Sequence, residues 1–232
     1  MCGRFTLRST DRIRLRLRNA QQIPLAALAP RYNIAPSQDV LTETYSENER
    51  VATVMRWGLI PSWSKEAKGF INARAETVEE KPSFSESFQR RRCLVPADGF
   101  YEWPRHQKSR QPFYFQMEDE APFAFAGIWD RWENNGLSIN ACAIVTTTAN
   151  ELLATIHDRM PVILSPAAQE EWLQSQVGAD GLKELLVPFP AAAMKSYPVT
   201  TQVNYPQNDE PDLVQPVELI VEPTTGMLFE MD

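Results

Sequence analysis

The chain has 232 residues, 43% hydrophobic and 23% charged; this supports a globular core, while length alone leaves one large domain or two small ones open. Eighteen prolines against nine glycines invert the usual balance of about 5% Pro to 7% Gly, so fixed turns and short strands are expected in one compact domain. The net charge of −7 argues against a polyanion partner until it is divided: residues 1–116 carry 19 Lys/Arg and 12 Asp/Glu, residues 117–232 only 4 and 18. That asymmetry marks the first half as a candidate polyanion surface. A chance gradient over a solvated exterior is the plainer alternative.

The first twenty residues are rich in arginine and lack the apolar core of a signal peptide. Apolar stretches such as 24–30 fall far short of the roughly 20 residues needed to span a bilayer. Three cysteines without CxxC spacing argue against a disulfide framework or a cysteine-rich zinc site. A reducing, cytoplasmic setting is expected, and no metal or cofactor.

In chain order, Arg8 to Arg18 could be capped by Ser9 or Thr10 as a helix, yet residues 12–18 alternate as a half-buried strand would; a helix is preferred. Residues 31–38, RYNIAPSQ, read as a loop, because Ala35 precedes a proline. Val51–Ile60, Cys93–Trp103, Pro112–Met117, Phe123–Trp132, Leu137–Thr146 and Met160–Leu164 read as strands rich in β-branched and aromatic residues, bounded by Pro, Gly, Asp or Asn. Helices are expected over Ala149–Ile156, capped by Thr147 or Thr148, from Ser165-Pro166 through Trp172, and over Leu182–Leu186. Successive strands without regular intervening helices predict a mainly antiparallel α+β domain. It is taken to span residues 1–218, with 219–232 as a poorly ordered tail.

Several residues could carry chemistry. Cysteine directly after the initiator methionine leaves Met1 removable, which would set a free α-amine and a thiol on one residue. An α-amine, with its reference pKa of about 7.7–8.0, is roughly several hundred times more often unprotonated at neutral pH than a lysine. It can attack an aldehyde, after which the nearby thiol can close a five-membered ring with the advantage of proximity. Cys2 could equally pack in the first strand. Asn72 and Arg74 would share one face of a strand, the first offering donor and acceptor, the second a fork suited to phosphate; a polar surface strand is the alternative.

Glu102 stands among Phe100, Tyr101 and Trp103, where desolvation would raise its pKa toward a range useful for proton transfer, unless it faces solvent on an edge strand. His157, between Ile156 and Asp158, could act as acid or base near neutral pH or simply cap a helix. The other histidine, His106, is expected in a turn. Cys93 and Cys142 read as core residues. GxxxxGK[ST], GxGxxG, HExxH and GxSxG are all missing.

Taken together, six stretches in order carry a resemblance. They are Met1-Cys2-Gly3-Arg4-Phe5, residues 31–36 (RYNIAP), 57–61 (WGLIP) with Trp63, 71–77 (INARAET), 97–103 (ADGFYEW) and 156–161 (IHDRMP). The chain resembles the SOS-response-associated peptidase (SRAP) family of abasic-site processing proteins over residues 1 to about 217. The resemblance implies a curled, branched β-sheet forming a partial barrel flanked by helices. It also implies a basic groove for single-stranded DNA, loss of Met1 by self-processing, and a thiazolidine crosslink between Cys2 and the ring-opened aldehyde of an abasic site, shielding the lesion.

Carried over by position, Cys2 supplies amine and thiol, and Glu102 deprotonates the amine and assists proton transfer around the imine. His157 assists ring opening and release, and Asn72 holds the N-terminal residue and the opened sugar. Arg4, Arg74 and Arg159 are implied phosphate contacts with Thr146 as a lesser one, while Pro36 and Trp63 pack against flanking bases. The expected partner is single-stranded DNA containing abasic sites, bound by a monomer associated with the nucleoid, and the acidic half is expected to face away from the groove. Two alternatives stay open: an N-terminal-nucleophile amidohydrolase of the glutamine amidotransferase kind, and a non-covalent single-stranded DNA binder.

Overall fold

The computed structural model describes residues 2–14, 20–46, 49–105, 111–174 and 177–219. Thirteen strands run through them. The first seven are β1 (Phe5–Leu7), β2 (Arg31–Ile34), β3 (Asp39–Ser46), β4 (Glu49–Trp57), β5 (Asn72–Arg74), β6 (Arg92–Ala97) and β7 (Gly99–Glu102). The remaining six are β8 (Phe113–Met117), β9 (Phe123–Asn134), β10 (Leu137–Thr148), β11 (Arg159–Pro161), β12 (Ile163–Leu164) and β13 (Met194–Pro198). Five short helices accompany them: α1 (Thr10–Arg14), α2 (Ser85–Arg90), α3 (Glu151–Ala154), α4 (Pro166–Leu173) and α5 (Ala179–Glu184).

One sheet has the order β13-β8-β7-β1-β2, antiparallel throughout. The other runs β11-β10-β4-β3-β6-β9-β12, with β5 added on β10 and a further β9–β10 pairing. Strands β10, β4, β3, β6 and β9 thus form a circuit. Two of its seams are thin: β4 meets β10 in parallel through Arg56 and Trp57 alone, and β3 meets β6 at Glu43 and Leu94. The result is a partial five-stranded barrel in an α+β domain. The long β9–β10 hairpin turns on Asn135 and Gly136, both with positive φ (48° and 79°), as the twist of an antiparallel pair favours.

The core between the two sheets is aromatic. Phe5 meets Trp57 at 5.1 Å and Phe125 at 5.8 Å, both edge-on, while Phe100 stacks on Phe115 at 5.2 Å. Buried Cys2 belongs to this same cluster. A second core lies under α2 and α4, where Trp172 Nε1 donates to Cys93 O and Gly127 O. Buried Arg92 closes both helices by donating to the carbonyls of Phe88, Gln89, Trp172 and Gln174, which helix C-termini leave without internal partners.

Several expectations change. Residues 31–34 are a strand, not a loop: Ala35 is indeed non-helical, and extended backbone before a proline continues a strand as readily as it ends one. Cys93–Trp103 is two strands broken at Asp98, whose carboxylate accepts from Thr6 Oγ1, Arg8 N and Ser9 N at 2.6–2.7 Å. Met160–Leu164 divides at Val162 into β11 and β12, and the cap of α3 is Asn150, whose side chain accepts from Leu153 N. The expected helix from Arg8 is seen as Thr10–Arg14, and the third helix begins earlier, at Ala179. Residues 15–19, the expected turn at His106 and positions 220–232 of the expected tail lie outside the described residues.

Candidate active site

The site is built around the start of the chain, and β7 brings the first group to it. Phe5 pairs with Phe100 and Thr6 with Gly99, and Tyr101 N donates to Arg4 O at 3.0 Å. Continuing that antiparallel register sets Glu102 across from Gly3, beside Cys2. Asp98 fixes the register by gripping Thr6, Arg8 and Ser9. From the barrel side, β5 lies parallel to β10 with Asn72 opposite Ile144, and Asn72 Nδ2 donates to Cys2 O at 2.8 Å. Its Oδ1 is buried and, among the described residues, unbonded. The alternation expected for this strand holds: Ala73 is buried between half-buried Asn72 and exposed Arg74.

The segment leading into β5 is held close to β4. Leu59 and Phe70 exchange backbone hydrogen bonds at 2.9 and 2.8 Å. A Cβ on Gly69 would come within 2.3 Å of Gly58 O, and Gly58 itself has φ of 140°, a value glycine alone adopts readily. From the loop so pinched, Trp63 stands 65% exposed, while Trp132 Nε1 and Asp130 Oδ2 tie its backbone at Ser64 and Ser62.

His157 follows α3, its N–H donating to Leu153 O at 2.8 Å, and is buried. Arg105 Nε donates to its Nε2 at 3.1 Å. Its Nδ1 lies 3.0 Å from Arg159 N and 3.2 Å from Arg159 O.

The electrostatics of these groups converge on the N-terminal ammonium. Burial lifts Glu102 from an ordinary 4.5 to about 7, against the opposing pull of that ammonium, which is both a nearby charge and a hydrogen-bond partner. Burial also holds the Cys2 thiol protonated well beyond its ordinary range, with Glu102 adding to the effect. His157 is pushed down by burial, then by the ammonium and by Arg105. A carboxyl raised to about 7, an imidazole held below its usual range and a protonated thiol therefore share one desolvated place, a grouping suited to proton transfer near pH 7.

The residues expected to meet DNA differ in their surroundings. Arg74 is exposed and Pro36 half-buried in the turn at Ser37. Arg4 is half-buried, its Nη1 donating to Asn33 Oδ1 and Val203 O at 2.7 Å. Arg159 is buried, held by both carboxylate oxygens of Glu76 at 2.5 and 3.0 Å and by Thr146 O at 2.5 Å; Thr146 itself is fully buried. Sequence reasoning passed over Arg105 and Glu76, and also Asn33 and Asp209, which join β2 to the C-terminal segment. Arg105 carries no motif signal beyond standing three residues after Glu102.

Among the described residues no three His, Cys, Asp or Glu side chains group as a metal site, and no helix is long and apolar enough to cross a membrane.

Residues 1–206 match the family model described as SOS response associated peptidase (SRAP). The abasic site processing protein YoqW of Bacillus subtilis is 43% identical over 222 residues, covering 93% of this chain and 99% of its own. YedK of Escherichia coli, also named an abasic site processing protein, is 31% identical over 94% and 100% of the two chains. A crystal structure of a Bacteroides thetaiotaomicron protein superposes with a TM-score of 0.81 at 29% identity, covering 94% of this chain and all of that one. The chain belongs to the SOS response associated peptidase family.

Proposed function

We propose that this protein processes abasic sites in single-stranded DNA by trapping the ring-opened sugar aldehyde on Cys2 once Met1 is gone. Removal of Met1 moves the α-amine onto Cys2, beside Glu102. The proposal rests chiefly on that pairing: a buried carboxylate raised to about 7 facing an amine whose ordinary pKa is about 7.7–8.0. Two groups so matched exchange a proton at little cost.

The steps follow from the groups at hand. Glu102 takes a proton from the ammonium, and the free amine attacks the aldehyde carbon. Glu102 returns the proton to the departing hydroxyl, water leaves, and a protonated imine remains. The Cys2 thiol, held protonated by burial, then adds to the carbon of the protonated imine while its own proton passes to the Glu102 carboxylate, closing a thiazolidine with one N–H. The thiol's resting protonation sets this order, amine first and sulfur second. Asn72 fixes the Cys2 carbonyl, and its buried Oδ1, unbonded among the described residues, would receive a sugar hydroxyl. His157 serves ring opening and, in reverse, release. Loss of Met1 by self-processing would use the same Glu102 beside the Met1 amine.

Arg74 on the strand edge and Trp63 on the pinched loop are the exposed cation and aromatic that supply phosphate and base contacts in this reading. Arg4 and Arg159, already engaged within the protein, would reach phosphate only with their remaining donors. A single test separates the readings: single-stranded DNA with one abasic site is incubated with mature protein without borohydride and resolved on a denaturing gel. A slow-migrating adduct lost in Cys2→Ala supports trapping. Glutamine hydrolysis without adduct would favour the amidohydrolase, and salt-sensitive retention of intact DNA without adduct would favour simple binding.

A further inference from the structure

We propose that Arg105 is a positioning residue for His157, selecting the imidazole tautomer that carries its proton on Nδ1 and keeps the Nε2 lone pair toward the guanidinium. The inference rests on the role given to His157 above, but its geometry is independent of DNA. An arginine Nε–H can only donate, so the 3.1 Å contact from Arg105 makes Nε2 an acceptor. A neutral ring has one N–H, which then resides on Nδ1.

The surroundings of Nδ1 do not decide the matter by themselves. Arg159 sets opposing groups on that nitrogen: its amide N–H, which can only donate, approaches at 3.0 Å and favours a lone pair there, while its carbonyl at 3.2 Å favours a proton. The choice is made at the other nitrogen, by Arg105. Asp158 steadies the arrangement: its Oδ2 accepts from Arg105 Nη1 at 2.6 Å, and its Oδ1 lies 3.2 Å from His157 Nδ1, a second acceptor for the Nδ1 proton. Both partners of the arginine–aspartate pair are about half exposed; such a pair adds little stability but holds the fork in place.

The charges facing the ring are the N-terminal ammonium, Arg105 and Asp158, and the two cations together with burial outweigh the anion, so the ring stays neutral to lower pH than a free histidine. Arg105 lies three residues beyond Glu102 and also helps to keep that carboxylate's pKa from rising further. One arm of chain past β7 therefore tunes both proton-handling groups.

The test is ring-nitrogen NMR of mature, DNA-free protein. His106 is the only other histidine, so His106→Gln assigns the His157 signals. Wild type should show the Nδ1–H pattern. Arg105→Ala should show an increased share of the Nε2–H form and a titration midpoint moved upward, with amide spectra confirming the fold; Arg105→Lys should restore both toward wild type. An unchanged tautomer and midpoint in Arg105→Ala would overturn the proposal. The crosslinking reading is judged separately, by adduct formation in wild type: a missing adduct would sink that reading while leaving an Arg105-dependent tautomer standing.

Discussion

Glu102 should make the domain less stable as pH rises, and the size of the effect can be worked from its surroundings. Burial lifts its folded pKa from 4.5 to about 7, while the unfolded chain returns it to the ordinary value. Because the folded value is the higher, its contribution is fully present below about pH 4.5 and is lost as pH climbs through 7. A gap of roughly 2.5 units at about 1.36 kcal/mol each is on the order of 3 kcal/mol. Glu102→Gln keeps the shape and removes the titration. Urea unfolding of both proteins across that pH range isolates the effect, since other groups cancel in the difference. The variant should gain about 3 kcal/mol on wild type between pH ~4 and pH ~8. A difference flat with pH, or one that falls, would refute the burial argument and with it the case for Glu102 as a proton-handling group.

The remaining predictions address other parts of the site. Trp63→Ala should leave the melting temperature near wild type and weaken single-stranded DNA binding by about 1–3 kcal/mol, the worth of one base stack, measured by fluorescence anisotropy. Arg74→Ala should reduce the slope of log affinity against log salt by roughly 0.7, one phosphate contact on a single strand, without loss of stability. Asp98→Ala should cost about 3–5 kcal/mol by calorimetry, because it leaves Arg8 and several backbone and hydroxyl donors around a buried, ion-paired carboxylate unsatisfied; a cost below 1 kcal/mol would contradict its role in fixing the register of β1.

The strands that sequence reasoning found are those with dense β-branched and aromatic content, such as β9 and β10, whose Asn-Gly turn marks the hairpin. It missed β3, where the polar run Thr42-Glu43-Thr44 hides a strand that pairs along its length with β4, meets β6 at Glu43 and buries Val40 and Leu41 in the core. It missed β13, which carries Lys195, Ser196 and Pro198 and exists through its ladder on β8. Strand β2 read as a loop because Ala35 precedes a proline; the structure makes it a strand, buries its Asn33 and satisfies that side chain with Arg4 and the carbonyls of Tyr205 and Asn208, partners about 29 to 175 residues away that no local pattern announces.

The same limit applies to charge. The arginines of the basic half read as an exterior patch, yet Arg92 closes two helices and Arg31 pairs with Asp209 at 2.6 Å; in the acidic half, Arg159 is likewise held by Glu76. A count of cations cannot tell an internal strut from a surface contact. The candidate site residues were legible for the opposite reason. Cysteine at position 2 has few ordinary explanations once an aromatic-flanked glutamate, an Asn-Ala-Arg strand and a His-Asp-Arg turn share the chain, and the fold gathers Cys2, Asn72, Glu102 and His157 around one terminus.

Intact mass spectrometry of mature protein mixed with an oligonucleotide bearing a single abasic site is the most direct trial of that chemistry. The expected product has the summed mass of the two partners less one water, forms without reductant, and disappears when Cys2 is replaced by alanine. Recovery of only unmodified protein and DNA from the wild-type mixture would contradict it.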